Sequence, residues 1–453
     1  MLLLKNIDYL ATMDRNGTEL TDAYIVVNNN VITKIGEGNP PSTNFDEVID
    51  LKRYVVLPGF VNTHHHLFQS LFRNIREVSS SKLFDWLTYL YEIWKYIDND
   101  AIYNSAIIGI YEMMATGVTT TTDMLYLHPK GKKGFIDTEI KAAEHCGIRF
   151  HPTRGSMSLS KKDGGLPPDS VVQSEREILE DSERIINEYH DPGRYSMLRI
   201  ALAPCSPFSV TEELMIKTRE LAEEYGVLLH THLAETKDEE EFCLESKGLR
   251  PVDYMEKVGW LKPETWFAHL VWLTEEDIKK LADSECGFAH CPTSNMRLGS
   301  GIAPVTEMKN KNMKIGLAVD GSASNDSGNM LWEIRNALML QRVVKGANAI
   351  TPRDVLYMAT IGGARVLGMD DYIGSIEEGK AADIIGFKTN KLSLAGGLSD
   401  PAASLVMCDP GKVDFEMING KQRIIKGKIS DNDLQNYINE QNRISKKLIN
   451  NNF

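Results

Sequence analysis

"YVVLPGFVNTHHHLFQS", residues 54–70, runs an apolar, β-branched stretch straight into three consecutive histidines. Successive side chains on an extended chain point to opposite faces. His64 and His66 can therefore converge on one point while His65 turns away. Alone, an HxH pair is a modest signal, because histidines also sit hydrogen-bonded in cores and on surfaces. The remainder of the chain has to supply further ligand-type side chains if these two hold a metal.

Downstream of this stretch the texture is regular. Short apolar runs, "GVTTTTDML", "GIRFHPTRG", "LRIALAPCS", "GVLLHTHLAE", "ETWFAHLVWL", "CGFAHCPTSN" and "MKIGLAVDGS", alternate with helical patterns. Two of those helices, "TEELMIKTRELAEEYG" and "TEEDIKKLADSE", open on a threonine able to cap them. Strands alternating with helices from residue 58 to 366 predict a (β/α)8 barrel, whose functional side chains sit just past the carboxyl ends of its strands. Residues 1–57 and 367–430 read instead as short strands, with "AYIVVNNNVITKIG" and "FEMINGKQRIIKGKI" turning on Asn-rich and Asn-Gly corners. One small β-sandwich domain assembled from both ends is expected, since either half alone has few strands to bury. Residues 431–453 are polar and predict a peripheral helix with a frayed end.

Composition bounds the function. A chain of 453 residues with 42% hydrophobic and 25% charged residues suits a soluble globular protein with a large core. A net charge of -13 speaks against a phosphate-backbone binder and against docking to anionic membranes. No apolar run approaches the ~20 residues of a membrane span. Cys146, Cys205, Cys243, Cys286, Cys291 and Cys408 are scattered without CxxC spacing, as in a reduced chain, so a cytoplasmic location is expected.

The apolar runs end in acid–base or metal-competent side chains. After His64 and His66 come His230, His232 and Glu235 from "LLHTHLAE", then His269, His290 and Asp320. Here the sequence resembles the amidohydrolase superfamily, in its purine and triazine branch of deaminases and chlorohydrolases, through "LPGFVNTHHH", "HLAE" and "VDGSASND". Within that branch "TRGSMSL", "GGLPPDS", "LAPCSPFSV", "CPTSNMRLGSGIAPV" and "DGSASNDSGNML" look most like the members that deaminate 8-oxoguanine.

The resemblance implies that His64, His66, His232 and Asp320 ligate a metal, leaving one position for water. It further implies His269 as a residue contacting that water and Glu235 as the proton shuttle. His65 receives no role. His230 shares the strand face of His232, so its side-chain parity alone leaves it open as a ligand; the resemblance selects His232. His290 is read as structural or pocket-lining. Dinuclear members of the superfamily bridge two metals with a modified lysine on the fourth strand, and "LRIALAPCSPF" contains no lysine. One divalent ion per chain is therefore expected, zinc from the nitrogen-rich ligation, with iron compatible with the same donors.

The implied reaction is hydrolytic deamination of a free purine-like base, 8-oxoguanine giving urate and ammonia. The alternatives are a guanine or pterin deaminase and a hydroxy-s-triazine alkylaminohydrolase. Gln69, Arg154 and Cys205 are the candidate substrate contacts: an amide for a ring edge, a cation for a carbonyl, and a thiol at the pocket wall. A structural salt bridge is the competing reading of Arg154. The expected partner is a small heterocycle, with no nucleic acid or membrane, and the chain is expected to form a homo-oligomer. A metal-free binding homologue would have lost ligands, whereas all four are present here.

Overall fold

A computed structural model describes residues 1–450. The last three residues of the predicted 431–453 tail lie outside the described residues. Five strands open the chain: β1 (Leu2–Ala11), β2 (Glu19–Asn28), β3 (Val31–Glu37), β4 (Glu47–Asp50) and β5 (Tyr54–Pro58). Eight parallel strands then close into a barrel: β6 (Phe60–Asn62), β7 (Val118–Leu125), β8 (Arg149–Ser156), β9 (Ala201–Pro204), β10 (Leu228–Leu233), β11 (Thr265–His269), β12 (Gly287–His290) and β13 (Lys314–Leu317). Four more, β14 (Ile384–Lys388), β15 (Phe415–Ile418), β16 (Lys421–Ile425) and β17 (Lys428–Ile429), return to the first five and complete a nine-stranded sheet.

The two ends of the chain meet where β5 pairs antiparallel with β14, from Pro58 opposite Ile384 to Tyr54 opposite Lys388. Around that seam Ile7, Ile25, Val56, Ile384 and Met417 form an apolar core separate from the barrel's. The stretch 54–62 is thus two strands in two sheets. Gly59 stands at the crossing, where a Cβ would lie 2.0 Å from Thr119 Oγ1, so only glycine permits the approach.

The barrel helices begin where their threonines cap them. Thr211 accepts the Leu214 N–H at the start of Glu212–Tyr225, and Thr274 forms a reciprocal capping box with Asp277 at the start of Glu275–Asp283. Between β6 and β7 the chain makes a long excursion, a 3-10 turn (Leu67–Phe72) and the helices Leu83–Trp94 and Asn99–Met114; Gln69 of the turn and Leu83, Trp86 and Leu87 of the first helix reach the cavity at the barrel mouth, while the second helix packs against Phe135–Cys146. The expected peripheral tail is the helix Leu434–Ile449, and it packs on this excursion with Gln441, Ile444 and Leu448 buried. Among the described residues no helix is long and apolar enough to cross a membrane.

Candidate active site

At the carboxyl ends of β10 and β11 and just beyond those of β6, β10 and β13 the structure brings together His64, His66, His232, Glu235, His269 and Asp320, all buried. His64 and His66 point into the barrel mouth. His65 points the other way, 3.7 Å from Asp123 and packed towards the helix Asn99–Met114, as strand alternation predicts.

Hydrogen bonds determine where each imidazole carries its proton. His230 Nδ1 lies 2.8 Å from the Trp266 carbonyl, so that nitrogen is protonated and His230 Nε2 is an acceptor. His64 Nδ1 sits 2.7 Å from that acceptor and donates to it, which leaves His64 Nε2 as a lone pair with no hydrogen-bond partner. His66 Nδ1 donates to the Met124 carbonyl at 2.8 Å, and His232 Nδ1 to the Cys205 carbonyl at 2.7 Å. Their Nε2 atoms are therefore lone pairs as well, facing each other across 3.1 Å. Burial, reinforced by neighbouring imidazoles, holds His64 and His232 well below the usual histidine range and keeps them neutral.

Asp320 closes the set, with Oδ1 at 3.4 Å from His64 Nε2 and 3.5 Å from His66 Nε2. Its Oδ1 accepts the Gly321 N–H at 2.6 Å and its Oδ2 the Ser324 hydroxyl at 3.3 Å, donors that favour the carboxylate. Three bare imidazole nitrogens and one carboxylate oxygen converge with no proton between them. That donor set fits a divalent metal ion, and each histidine's other nitrogen is tied to a carbonyl or a second imidazole, as ligating histidines require. His230 thus sets the tautomer of His64 from one layer deeper in the barrel, stacked on Trp266 at 4.3 Å.

Glu235 and His269 stand beside this cluster. His269 Nδ1 donates to Asn295 Oδ1 at 2.9 Å, and its Nε2 lies 3.6 Å from Glu235 Oε2 and 3.9 Å from Asp320 Oδ2. Burial lowers the pKa of His269, yet the two carboxylates outweigh burial and leave it raised. Burial raises that of Glu235, whose other oxygen accepts from Ser300 Oγ at 3.2 Å. Glu239 in turn accepts the N–H groups of Ala234 and Glu235 at 2.8 and 2.9 Å, fixing the turn on which Glu235 stands. The backbone is strained here: Ala234, His269 and Asp320 have φ of 52°, 76° and 59°. Left-handed geometry at residues other than glycine costs roughly 1–3 kcal/mol each and gathers at functional sites.

A narrow cavity opens over the cluster. Leu83, Trp86, Leu87, Phe208 and Leu298 form its apolar wall, and Gln69, Tyr126, Cys205 and Ser324 its polar one. Gln69 and Cys205 thus line the cavity. Burial pushes the Cys205 thiol up to about 12, so it faces the cavity neutral. Arg154 is a correction: its guanidinium leaves the barrel mouth for the helix layer, bonding Asp181 and Gln173, each at 2.9 Å, and it does not line the cavity. Its strand position points outward, and the salt-bridge reading holds. His290 is buried beneath the site with neither ring nitrogen partnered, and it too is absent from the cavity wall. Sequence reasoning missed Tyr126, Asn295 and Ser300. The last two lie inside "CPTSNMRLGSGIAPV", the string quoted for its resemblance without any role assigned to its residues.

The family model described as "Amidohydrolase family" matches residues 55–423. The chain is 44% identical over 440 residues to an 8-oxoguanine deaminase of Pseudomonas aeruginosa, covering 97% of this chain and 98% of that protein. It is 33% identical over 427 residues to a hydroxydechloroatrazine ethylaminohydrolase of a Pseudomonas species, covering 91% and 88%. Among solved structures, the atrazine chlorohydrolase of Arthrobacter aurescens TC1 complexed with zinc superposes with a TM-score of 0.93 at 30% identity, covering 98% of this chain and 100% of that one.

Proposed function

The chain belongs to the amidohydrolase family, and within it we propose a metal-dependent aminohydrolase that converts 8-oxoguanine and water to urate and ammonia. The observation that carries this reading is the placement of buried, pKa-raised Glu235 three residues past His232 and beside His269, against a cluster of bare imidazole nitrogens. The similarity to an 8-oxoguanine deaminase over nearly the whole chain supports the substrate.

His64, His66, His232 and Asp320 would hold one divalent ion per chain, zinc by its preference for nitrogen donors. Bound there, the ion supplies Lewis-acid activation of water at neutral pH. The protein's own groups handle the protons. As the water oxygen bonds to the amidine carbon, the Glu235 carboxyl protonates the adjacent ring nitrogen. Asp320 accepts one water proton and passes it to the amino group, which leaves as ammonia when the C–N bond breaks, while the proton of the new hydroxyl returns to Glu235 as the C=O forms. His269, held by Asn295, faces the gap between Glu235 and Asp320 and orients the attacking oxygen. The apolar wall suits a flat ring, and Gln69 and Cys205 present polar atoms to its edge. All six cysteines are unpaired, which agrees with the cytoplasm as the working compartment. A homo-oligomer completes the proposal, read by light scattering on the eluting protein.

The test is a panel of 8-oxoguanine, guanine, a pterin and a hydroxy-s-triazine, followed by ammonia or alkylamine release. Fastest turnover on 8-oxoguanine is expected. Faster release of ethylamine from the triazine would transfer the assignment to the activity named for the 33%-identical relative.

A further inference from the structure

Gln69 lines the cavity, and its position depends on the turn Leu67–Phe72 that follows the metal-competent histidines. Gln69 Nε2 donates to Tyr126 Oη at 3.2 Å, while its Oε1 lies 3.4 Å from the Ala323 N–H. The amide is pressed so closely onto Gly321 that a Cβ there would lie 1.9 Å from Gln69 Oε1. A shift of this turn therefore moves Gln69 against the backbone that carries Asp320.

What holds the turn from behind is the helix Leu434–Ile449. Gln441 on that helix is buried, its Oε1 accepting from Asn104 Nδ2 at 2.8 Å and its Nε2 donating to Ser70 Oγ at 3.0 Å. Ser70 Oγ donates onward to the Ser105 carbonyl at 2.9 Å. Asn104 also donates to the Tyr437 carbonyl at 3.1 Å, and Ser445 Oγ donates to the Leu71 carbonyl at 2.6 Å. Asn104 is a donor at one end and Ser105 O an acceptor at the other, so the chain of bonds runs in one direction and fixes the flip of the Gln441 amide. Buried amide networks of this kind impose a single geometry, because any displaced member leaves a polar group unpaired.

We propose that Gln441 is a positioning residue for substrate: through Ser70 it sets the turn that places Gln69 in the cavity. The chain's last helix is then part of the pocket's support although 371 residues separate Gln441 from Ser70. This rests on the reading of Gln69 as a substrate contact.

Two measurements on the metal-loaded full chain test it. Hydrogen exchange of the 67–72 amides reads the turn without any substrate. In Gln441→Leu that exchange should rise about tenfold or more, the effect of one lost buried hydrogen bond. Steady-state kinetics on 8-oxoguanine should show KM up by about tenfold with kcat within about twofold, and Ser70→Ala should reproduce the split. Ile444→Ala removes apolar packing from the same helix without touching the network; it should lower Tm while leaving KM at the parent value. Parent-like exchange at 67–72 in Gln441→Leu would overturn the proposal, as would an equal rise in KM from Ile444→Ala. A parent enzyme inactive on 8-oxoguanine would count against the assigned substrate, while the exchange result would still decide the role of Gln441.

Discussion

His66 and His232 face each other through their Nε2 atoms at 3.1 Å, and both rings have already committed their single proton to a backbone carbonyl on the far side. Two lone pairs at hydrogen-bond distance repel. A cation shared between them removes that repulsion, which is why the pair suits a metal ion.

The first prediction concerns that cation. Protein purified with metal should carry close to one divalent ion per chain by elemental analysis, and chelation should lower Tm. His66→Ala and His232→Ala should each lose the ion. His65→Ala should keep it, because that ring faces Asp123 instead of the site.

His230 gives a finer test. It contributes no ligand atom, yet its Nε2 accepts the proton that fixes His64's tautomer. His230→Phe keeps the stacking on Trp266 and removes the acceptor, together with the Nδ1 donor to the Trp266 carbonyl. Metal affinity should fall about 10- to 100-fold, the usual cost of losing a ligand's orienting partner, read by competition with a chelating dye.

Stability should respond to pH through Glu333, whose pKa burial raises from 4.5 to about 7 although its oxygens accept from Thr293 N and Asn325 Nδ2. A folded-state pKa above the unfolded one favours the native state fully below pH 4.5 and loses that contribution as pH rises through 7. Urea denaturation of Glu333→Gln should therefore gain on the parent progressively between those limits, at no more than about 1.4 kcal/mol per pH unit, and hold a constant difference above them. A pH-independent difference would contradict the assignment.

Ser300 donates to Glu235 Oε1, so Ser300→Ala removes a bond that lowers the carboxyl's pKa. Turnover should fall about tenfold, with metal content unchanged and the Glu235 limb of the pH–rate profile moved to higher pH.

Much of this was readable from residues alone, for physical reasons. Alternation separated His65 from His64 and His66, and threonines 211 and 274 marked helix starts because a cap is a local, sequence-encoded bond. The same alternation placed His230 and His232 on one face. It could not say that His230 lies a layer deeper, since depth depends on where neighbouring strands sit. Arg154 failed for a related reason: every residue of β8 is buried, so burial does not distinguish the barrel interior from the helix layer, and only the structure shows which way the guanidinium turns. Ser300, Asn295 and Gln441 act through tertiary contacts with no local signature.

The most direct measurement is urate formation from 8-oxoguanine by metal-loaded parent and Glu235→Gln proteins assayed side by side. Glu235→Gln keeps the side chain's size and leaves His64, His66, His232 and Asp320 untouched. The expected result is urate from the parent and turnover reduced by roughly 10²–10⁴ in the variant, the usual contribution of general acid–base catalysis, at equal metal content. A metal-replete variant turning over at near-parent rate, or a metal-replete parent that forms no urate, would contradict it.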